Sequence, residues 1–298
     1  MKLFITLTTI SVSLLMLSCR NGESDFDATG SFEATEVIVS SQANGRILEF
    51  NLNEGDQLQE GQVVGFTDST QLYLQKMSLL SNVRGVRAQQ PDISKQTAAV
   101  QEQINTLERE KARVQRLLES NAANQKQLDD IESQLEIQNK QLQALTSTLQ
   151  KSSANISAQS STLDIQVAQI EDQLEKTRII SPITGTVLNR YATEGELATI
   201  GKPLFKVADI NNMYLRAYVT NDQLGQIKLN DKVIVKVDDG KGEMKSYSGT
   251  ISWISSKSEF TPKTIQTKNE RANLVYAIKI AVHNDGYIKI GMYGEVKF

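Results

Sequence analysis

Gly45 to Asp68 reads GRILEFNLNEGDQLQEGQVVGFTD, and Gly185 to Asp209 reads GTVLNRYATEGELATIGKPLFKVAD. The two stretches are copies of one pattern about 140 residues apart, because Gly45, Gly55 and Gly61 fall on Gly185, Gly195 and Gly201 without a gap. Between the glycines, Ile47, Phe50 or Leu52, and Leu58 supply the apolar positions of the first copy; Val187, Tyr191 and Leu197 supply those of the second. They recur in short strand-like groups separated by the turns Glu54-Gly55 and Glu194-Gly195. Glycine suits such turns because a residue without Cβ adopts positive φ at almost no cost. Neither copy is large enough to bury its apolar face alone. The two are therefore expected to close on each other as one flattened β-sandwich, and whatever lies between them must leave and return at neighbouring points.

The insertion between the copies, residues 70–178, holds a single proline, Pro91, and a single glycine, Gly85, and is dense in Gln, Leu, Glu, Lys and Ala. That is the composition of long helices. Apolar residues follow alternating three and four spacings: Val100, Ile104, Leu107, Val114 and Leu118 going out, then Leu128, Ile131, Leu135, Leu142, Leu145, Leu149, Ile156, Leu163, Ile170 and Leu174 coming back. The seam breaks at ESNAAN, residues 119–124, which divides the insertion into arms of roughly fifty residues, or about 75 Å at the helical rise. Asn124 followed by Gln127 predicts a capping box opening the second arm. Gly85 and Pro91 predict a kink or interruption near the base of the first. Other seam positions are polar, with Gln138, Ser152 and Gln159 as examples, and a seam this weak predicts lateral packing against further copies of the hairpin.

The split repeat resembles a lipoyl-like or biotinyl-like domain. In enzyme carriers of that type a modified lysine sits on the tight turn joining the halves; here that turn is replaced by the helical insertion, so a carrier subunit is the weaker alternative. Gly195 to Lys202 looks like a phosphate loop but is one residue too long and runs into Pro203, so it reads as a strand turn. A net charge of −3 with no basic block gives no footprint for nucleic acid. One cysteine, Cys19, and one histidine, His283, exclude a disulfide framework and imidazole–thiolate metal sites. His283 reads as a surface residue near a strand end.

Residues 1–18 have the form of a signal segment: Lys2 is followed by an uncharged apolar run, too short for a comfortable membrane span. Met16-Leu17-Ser18-Cys19 resembles the lipobox of bacterial lipoproteins, with Met16 where Leu is usual. The resemblance implies lipid attachment at Cys19, which would hold the protein on a membrane surface, with residues 19–34 as a lipidated tether. From Met213 to Phe298 alternating strands such as YLRAYV at 214–219 and KVIVKV at 232–237 predict a β-barrel domain.

Over the mature chain this layout resembles the HlyD-type membrane fusion family of periplasmic adaptors. Three local matches carry it. Arg178-Ile179-Ile180-Ser181-Pro182-Ile183-Thr184-Gly185 is similar to the family's lead-in to the second lipoyl half. Arg113, Leu117 and Asn124 occupy the tip positions at which members that dock on TolC-like outer-membrane channels carry Arg, Leu and Ser. Glu259-Phe260-Thr261-Pro262-Lys263, Gln266-Thr267, Arg271, Leu274-Val275-Tyr276 and Gly291-Met292 resemble adaptors that accompany ABC-type exporters; Phe260, Tyr276 and Trp253 would otherwise be ordinary barrel core. The expected organisation is an α+β multidomain chain. A lipoyl-like sandwich (35–69 and 179–210) is split by a coiled-coil hairpin (70–178) and followed by a β-barrel domain (211–298).

The implied role is that of an adaptor, not an enzyme, without cofactor. It would be lipid-anchored in the periplasm at the inner membrane, self-associated as a hexameric ring, and would link an ABC-type transporter to a TolC-like channel. An RND-pump adaptor is the alternative. The chain ending soon after the barrel favours the ABC partner.

Overall fold

The computed structural model describes residues 26–260 and 274–298. The signal segment, Cys19, and the run containing Thr261, Pro262, Lys263, Gln266, Thr267 and Arg271 lie outside the described residues.

The first copy forms β2 (Gly45–Phe50), β3 (Gln57–Leu58) and β4 (Val63–Thr67), and the second forms β6 (Gly185–Arg190), β7 (Leu197–Ala198) and the start of β8 (Pro203–Thr220). They interlock as pseudo-twofold partners, since the short strand of each copy pairs with the long strand of the other: β3 with β6 and β7 with β2. The backbone bonds repeat with the same symmetry. Gly55 N donates to Val187 O and Gly195 N to Ile47 O, both at 2.9 Å, while Gly61 N reaches Ser181 O at 2.8 Å and Gly201 N reaches Ser41 O at 2.9 Å. Gly55 and Gly195 have φ of 92° and 89°, so glycine is required at both turns.

The apolar positions of the second copy differ from the sequence expectation by one residue. Ile47, Phe50, Leu52, Leu58 and Val187 are buried, but Tyr191 is 45% and Leu197 66% exposed; Ala192 and Ala198 point inward instead. Ala192 and Ala198 are the counterparts of Leu52 and Leu58. Phe205, the counterpart of Gly65, restores the lost volume, lying 6.2 Å from Phe50 between ring centroids.

The insertion emerges between β4 and β5 (Arg178–Ile180), which are paired strands, so its roots are adjacent. It comprises α1 (Thr70–Arg87), α2 (Ile93–Glu119) and α3 (Gln125–Glu175). The first arm is interrupted at residues 88–92, next to Pro91, and Asp92 caps the resumed helix by accepting from Lys95 N at 3.1 Å. Lys76–Glu171 (2.8 Å), Arg87–Asp164 (2.6 Å) and Lys111–Glu132 (2.9 Å) cross-link the arms. Ile104, Val114, Leu135, Leu149, Val167 and Ile170 are buried between them. Gln138 is a half-buried seam residue, but Ser152 and Gln159 are exposed, and Ser153 and Ser160 face the seam. The strict heptad through 138 and 145 is broken by consecutive steps of four, 145 to 149 to 153. This stutter moves the contact line by one residue.

The barrel has six strands in the closed order β1 (Ala28–Ser40), β12 (Tyr293–Lys297), β9 (Lys232–Asp238), β10 (Met244–Phe260), β11 (Leu274–His283), β8 and back to β1. Its closing strand comes from residues 28–34, which the sequence reading placed in the tether. Ala28 opposes Val296, and Thr29 to Ala34 run antiparallel to Tyr218 to Met213. Ala28 and Phe32 point into the core formed by Leu215, Ala217, Val219, Val233, Val235 and Val237. Gly30 sits where a Cβ would lie 2.0 Å from Arg216 O, so no larger residue fits at that strand crossing. Trp253 is 42% exposed and so is not the core residue of the plain reading, whereas Tyr276 is half-buried and packs against the barrel core; the side chain of Phe260 lies outside the described residues. His283 is exposed at its strand end. A short helix, α4 (Asn221–Leu224), follows β8 with a capping box between Thr220 and Gln223.

Strands β1 and β8 run through both domains. Their register slips between Ala34 and Thr35, where β8 carries extra residues 210–212. That junction is clasped by Asn284, buried to 5% exposure, which donates to Ile210 O at 2.8 Å and Ile288 O at 3.0 Å and accepts from Gly286 N and Ile288 N, both at 3.0 Å.

Candidate functional site

The hairpin tip is built almost entirely by local backbone chemistry. The α2 helix ends in a Schellman motif: Ala122 N donates to Leu117 O at 2.8 Å and Asn121 N to Leu118 O at 3.0 Å, with Asn121 at φ 56°. Asparagine tolerates that left-handed conformation better than other residues with a Cβ. The Ser120 hydroxyl also donates to Leu117 O, at 2.9 Å. After two alanines Asn124 opens α3, its side-chain oxygen accepting from Gln127 N at 3.0 Å. ESNAAN is thus a stop signal and a start signal placed back to back.

Arg113 and Leu117 lie one turn apart on α2, on the same face of the helix. Arg113 is exposed and ion-paired with Glu110, whose carboxylate raises the guanidinium pKa. Leu117 is 38% exposed, whereas Val114 and Leu118 occupy the seam. Asn124 is exposed across the turn, with its carboxamide oxygen committed to the cap. The tip therefore presents an apolar side chain about one helical turn, and a cation about two turns, from a preformed loop.

Sequence reasoning missed two apolar side chains on the outer face of α3, Ile137 and Ile165, exposed to 62% and 60%. Both fall off the heptad contact line, and that departure is the signal that would have marked them. Between the arms, Glu108, Lys111, Glu132, Glu136 and Lys140 line an open groove of about 680 Å³, a solvated cleft of both charge signs.

Lys202, which ends the phosphate-loop lookalike, donates to Glu196 at 2.8 Å and to Leu197 O at 3.0 Å, so its ammonium serves the turn itself. Among the described residues no cluster of His, Cys, Asp and Glu is arranged to hold a metal, and no helix is long and apolar enough to cross a membrane.

Comparison with known proteins places this geometry. The chain is 27% identical over 284 residues, 88% of its own length and 83% of the relative's, to a UPF0194 membrane protein encoded in the asrC 5′ region of Acidithiobacillus ferridurans. It is 35% identical over 126 residues to a UPF0194 membrane protein of Yersinia pseudotuberculosis, spanning 42% of this chain and 38% of that one. Among solved structures, MacA from Actinobacillus actinomycetemcomitans shares the fold with a TM-score of 0.53 at 20% identity, over 90% of this chain and 76% of that one. A MacA–MexA chimera carrying the MexA α-hairpin of Pseudomonas aeruginosa matches with a TM-score of 0.52 at 22% identity, over 90% and 79%. Residues 35–210, which contain the interlocked repeats and the hairpin, match the family model described as RND MFP, barrel-sandwich hybrid domain. With more than half of its length in that domain, the chain belongs to the membrane fusion protein family of efflux adaptors.

Proposed function

We propose that this adaptor links an ABC-type transporter of the inner membrane to a TolC-like channel of the outer membrane. In this reading Cys19 carries the lipid that holds the chain at the inner membrane, the barrel meets the transporter, copies of the sandwich and hairpin form a ring of six, and the tip meets the channel. Arg113 and Leu117 make the channel contact, and Asn124 shapes the turn that presents them.

The observation that carries the proposal is the exposure of Leu117 at the end of an arm of about 75 Å. An apolar side chain held outside its own seam, beside an exposed cation, suits a contact with a partner. Continuity of β1 and β8 between sandwich and barrel supports a spacer that keeps its two ends apart.

The ABC assignment rests on the resemblance of Glu259-Phe260, Leu274-Val275-Tyr276 and Gly291-Met292 to adaptors of that class. A second reading, an RND-type transporter, is favoured by the family description itself, which names RND. Mild crosslinking of native membranes followed by mass spectrometry of what copurifies distinguishes them. An ABC transporter is expected; an RND transporter would replace the partner class, and soluble acyl-transfer or carboxylase subunits would overturn the adaptor reading in favour of a carrier.

A further inference from the structure

We propose that the hairpin carries an elbow at residues 88–92, about which its distal part swings relative to its root in the plane of the two arms.

The first arm is cut there. The amides of Ala88, Gln89 and Gln90 bond back to Arg84, Val86 and Arg87, Pro91 has no N–H, and α2 restarts independently from the Asp92 cap. The second arm is not cut, since α3 runs without a break from Gln125 to Glu175. Two packed helices resist bending in their common plane because one must stretch while the other shortens. With one arm interrupted, that resistance falls to the bending of α3 alone, and single helices curve readily.

The seam opposite the cut is correspondingly weak. Toward the tip it is sealed by Ile104, Val114, Leu135 and Leu149, and toward the root by Val83, Val167 and Ile170. Beside the cut the α3 positions are Ser153, the half-buried Ile156 and Ser160, two polar side chains around one apolar one, reached through the stutter at 145–149–153, a feature that locally unwinds paired helices. A cavity of about 240 Å³ opens there, lined by Arg87, Gln90, Ile156, Ser160 and Asp164 among others.

What crosses the gap is polar and reversible. Arg87 Nε donates to Ser160 Oγ at 2.8 Å, its guanidinium pairs with Asp164 at 2.6 Å, and Gln90 Nε2 donates to Ser153 Oγ at 3.1 Å. Arg87 and Asp164 are about half exposed, with side chains 58% and 46% accessible, so their pairing is weak and screened by salt. These bonds act as a latch that holds the elbow straight without locking it.

The test is electron–electron distance spectroscopy on the full chain, with nitroxides on unnatural keto residues so that Cys19 is untouched. One pair, Tyr73 and Glu108, spans the elbow; a control pair, Gln101 and Arg116, lies within α2. The spanning pair is expected to give a broad distribution that narrows toward the control in Ser153→Leu/Ser160→Leu and widens further in Arg87→Ala/Gln90→Ala or at high salt. A spanning distribution already as narrow as the control overturns the elbow. If the leucine variant fails to fold, the latch variant decides alone, and an unchanged width in it overturns the proposal. Neither readout depends on which transporter or channel the protein meets.

Discussion

Leu117→Asp abolishes export while the protein stays folded and assembled. The expectation follows from where Leu117 stands: 38% exposed, one residue from the seam position Leu118, and at the last turn of α2. A carboxylate placed in an apolar docking contact loses its hydration there, which costs about 3 kcal/mol or more, roughly a hundredfold in affinity, and the exposed Arg113 one turn away offsets less than about 1 kcal/mol of it. Asp is also a poor helix former, and its charge opposes the helix dipole at a C-terminus, so it loosens the last turn by about 0.5 kcal/mol. Leu117→Lys separates the two effects, because lysine suits both the helix and its C-terminal end. Equal loss of export in both variants, with unchanged circular dichroism, is the expected result. Export preserved in the lysine variant would mean that Leu117 supports the turn and touches no partner. By contrast, Val114→Asp puts the charge into the seam and is expected to unfold the distal hairpin.

Asn284→Leu is expected to destabilise the barrel by about 3 kcal/mol, since it strands two buried carbonyls and two amide groups at the junction between the domains. The loss should be local: hydrogen exchange is expected to accelerate at residues 209–213 and 284–288 and to stay unchanged in α2 and α3. An unaltered melting transition would show that water replaces the side chain and that the register slip between β1 and β8 does not depend on it.

Much of this architecture was legible because glycine spacing is insensitive to side-chain volume. Gly45, Gly55 and Gly61 matched Gly185, Gly195 and Gly201 whatever filled the core between them. Inferring the inward residues from their size was less secure. Tyr191 and Leu197 are larger than Ala192 and Ala198, yet the alternation of the strand puts the alanines inside, and Phe205 takes the volume that Leu52 and Leu58 occupy in the first copy. The hairpin seam showed a related weakness: a strict heptad carried forward from Gln138 arrives at Ser152 and Gln159, and only the stutter moves it to Ser153 and Ser160. Residues 28–34 gave no warning of joining the barrel, because pairing between β1 and β8 is a long-range choice that the local pattern of Ala28, Gly30 and Phe32 does not encode. At the tip the local chemistry was strong enough to read directly, and Asn124 caps α3 as its position implied. The Schellman turn at Asn121 was not foreseen, since asparagine in place of glycine hides the usual stop signal.

In the proposed assembly one chain touches two different membrane proteins through opposite ends. Photoreactive residues placed at position 113 on the tip and at position 259 on the barrel, in intact cells, test it most directly. An outer-membrane channel is expected to be captured from position 113 and an inner-membrane transporter from position 259, with neither partner captured from the other position. Capture of the same protein from both positions, or only of further copies of this chain, would contradict it.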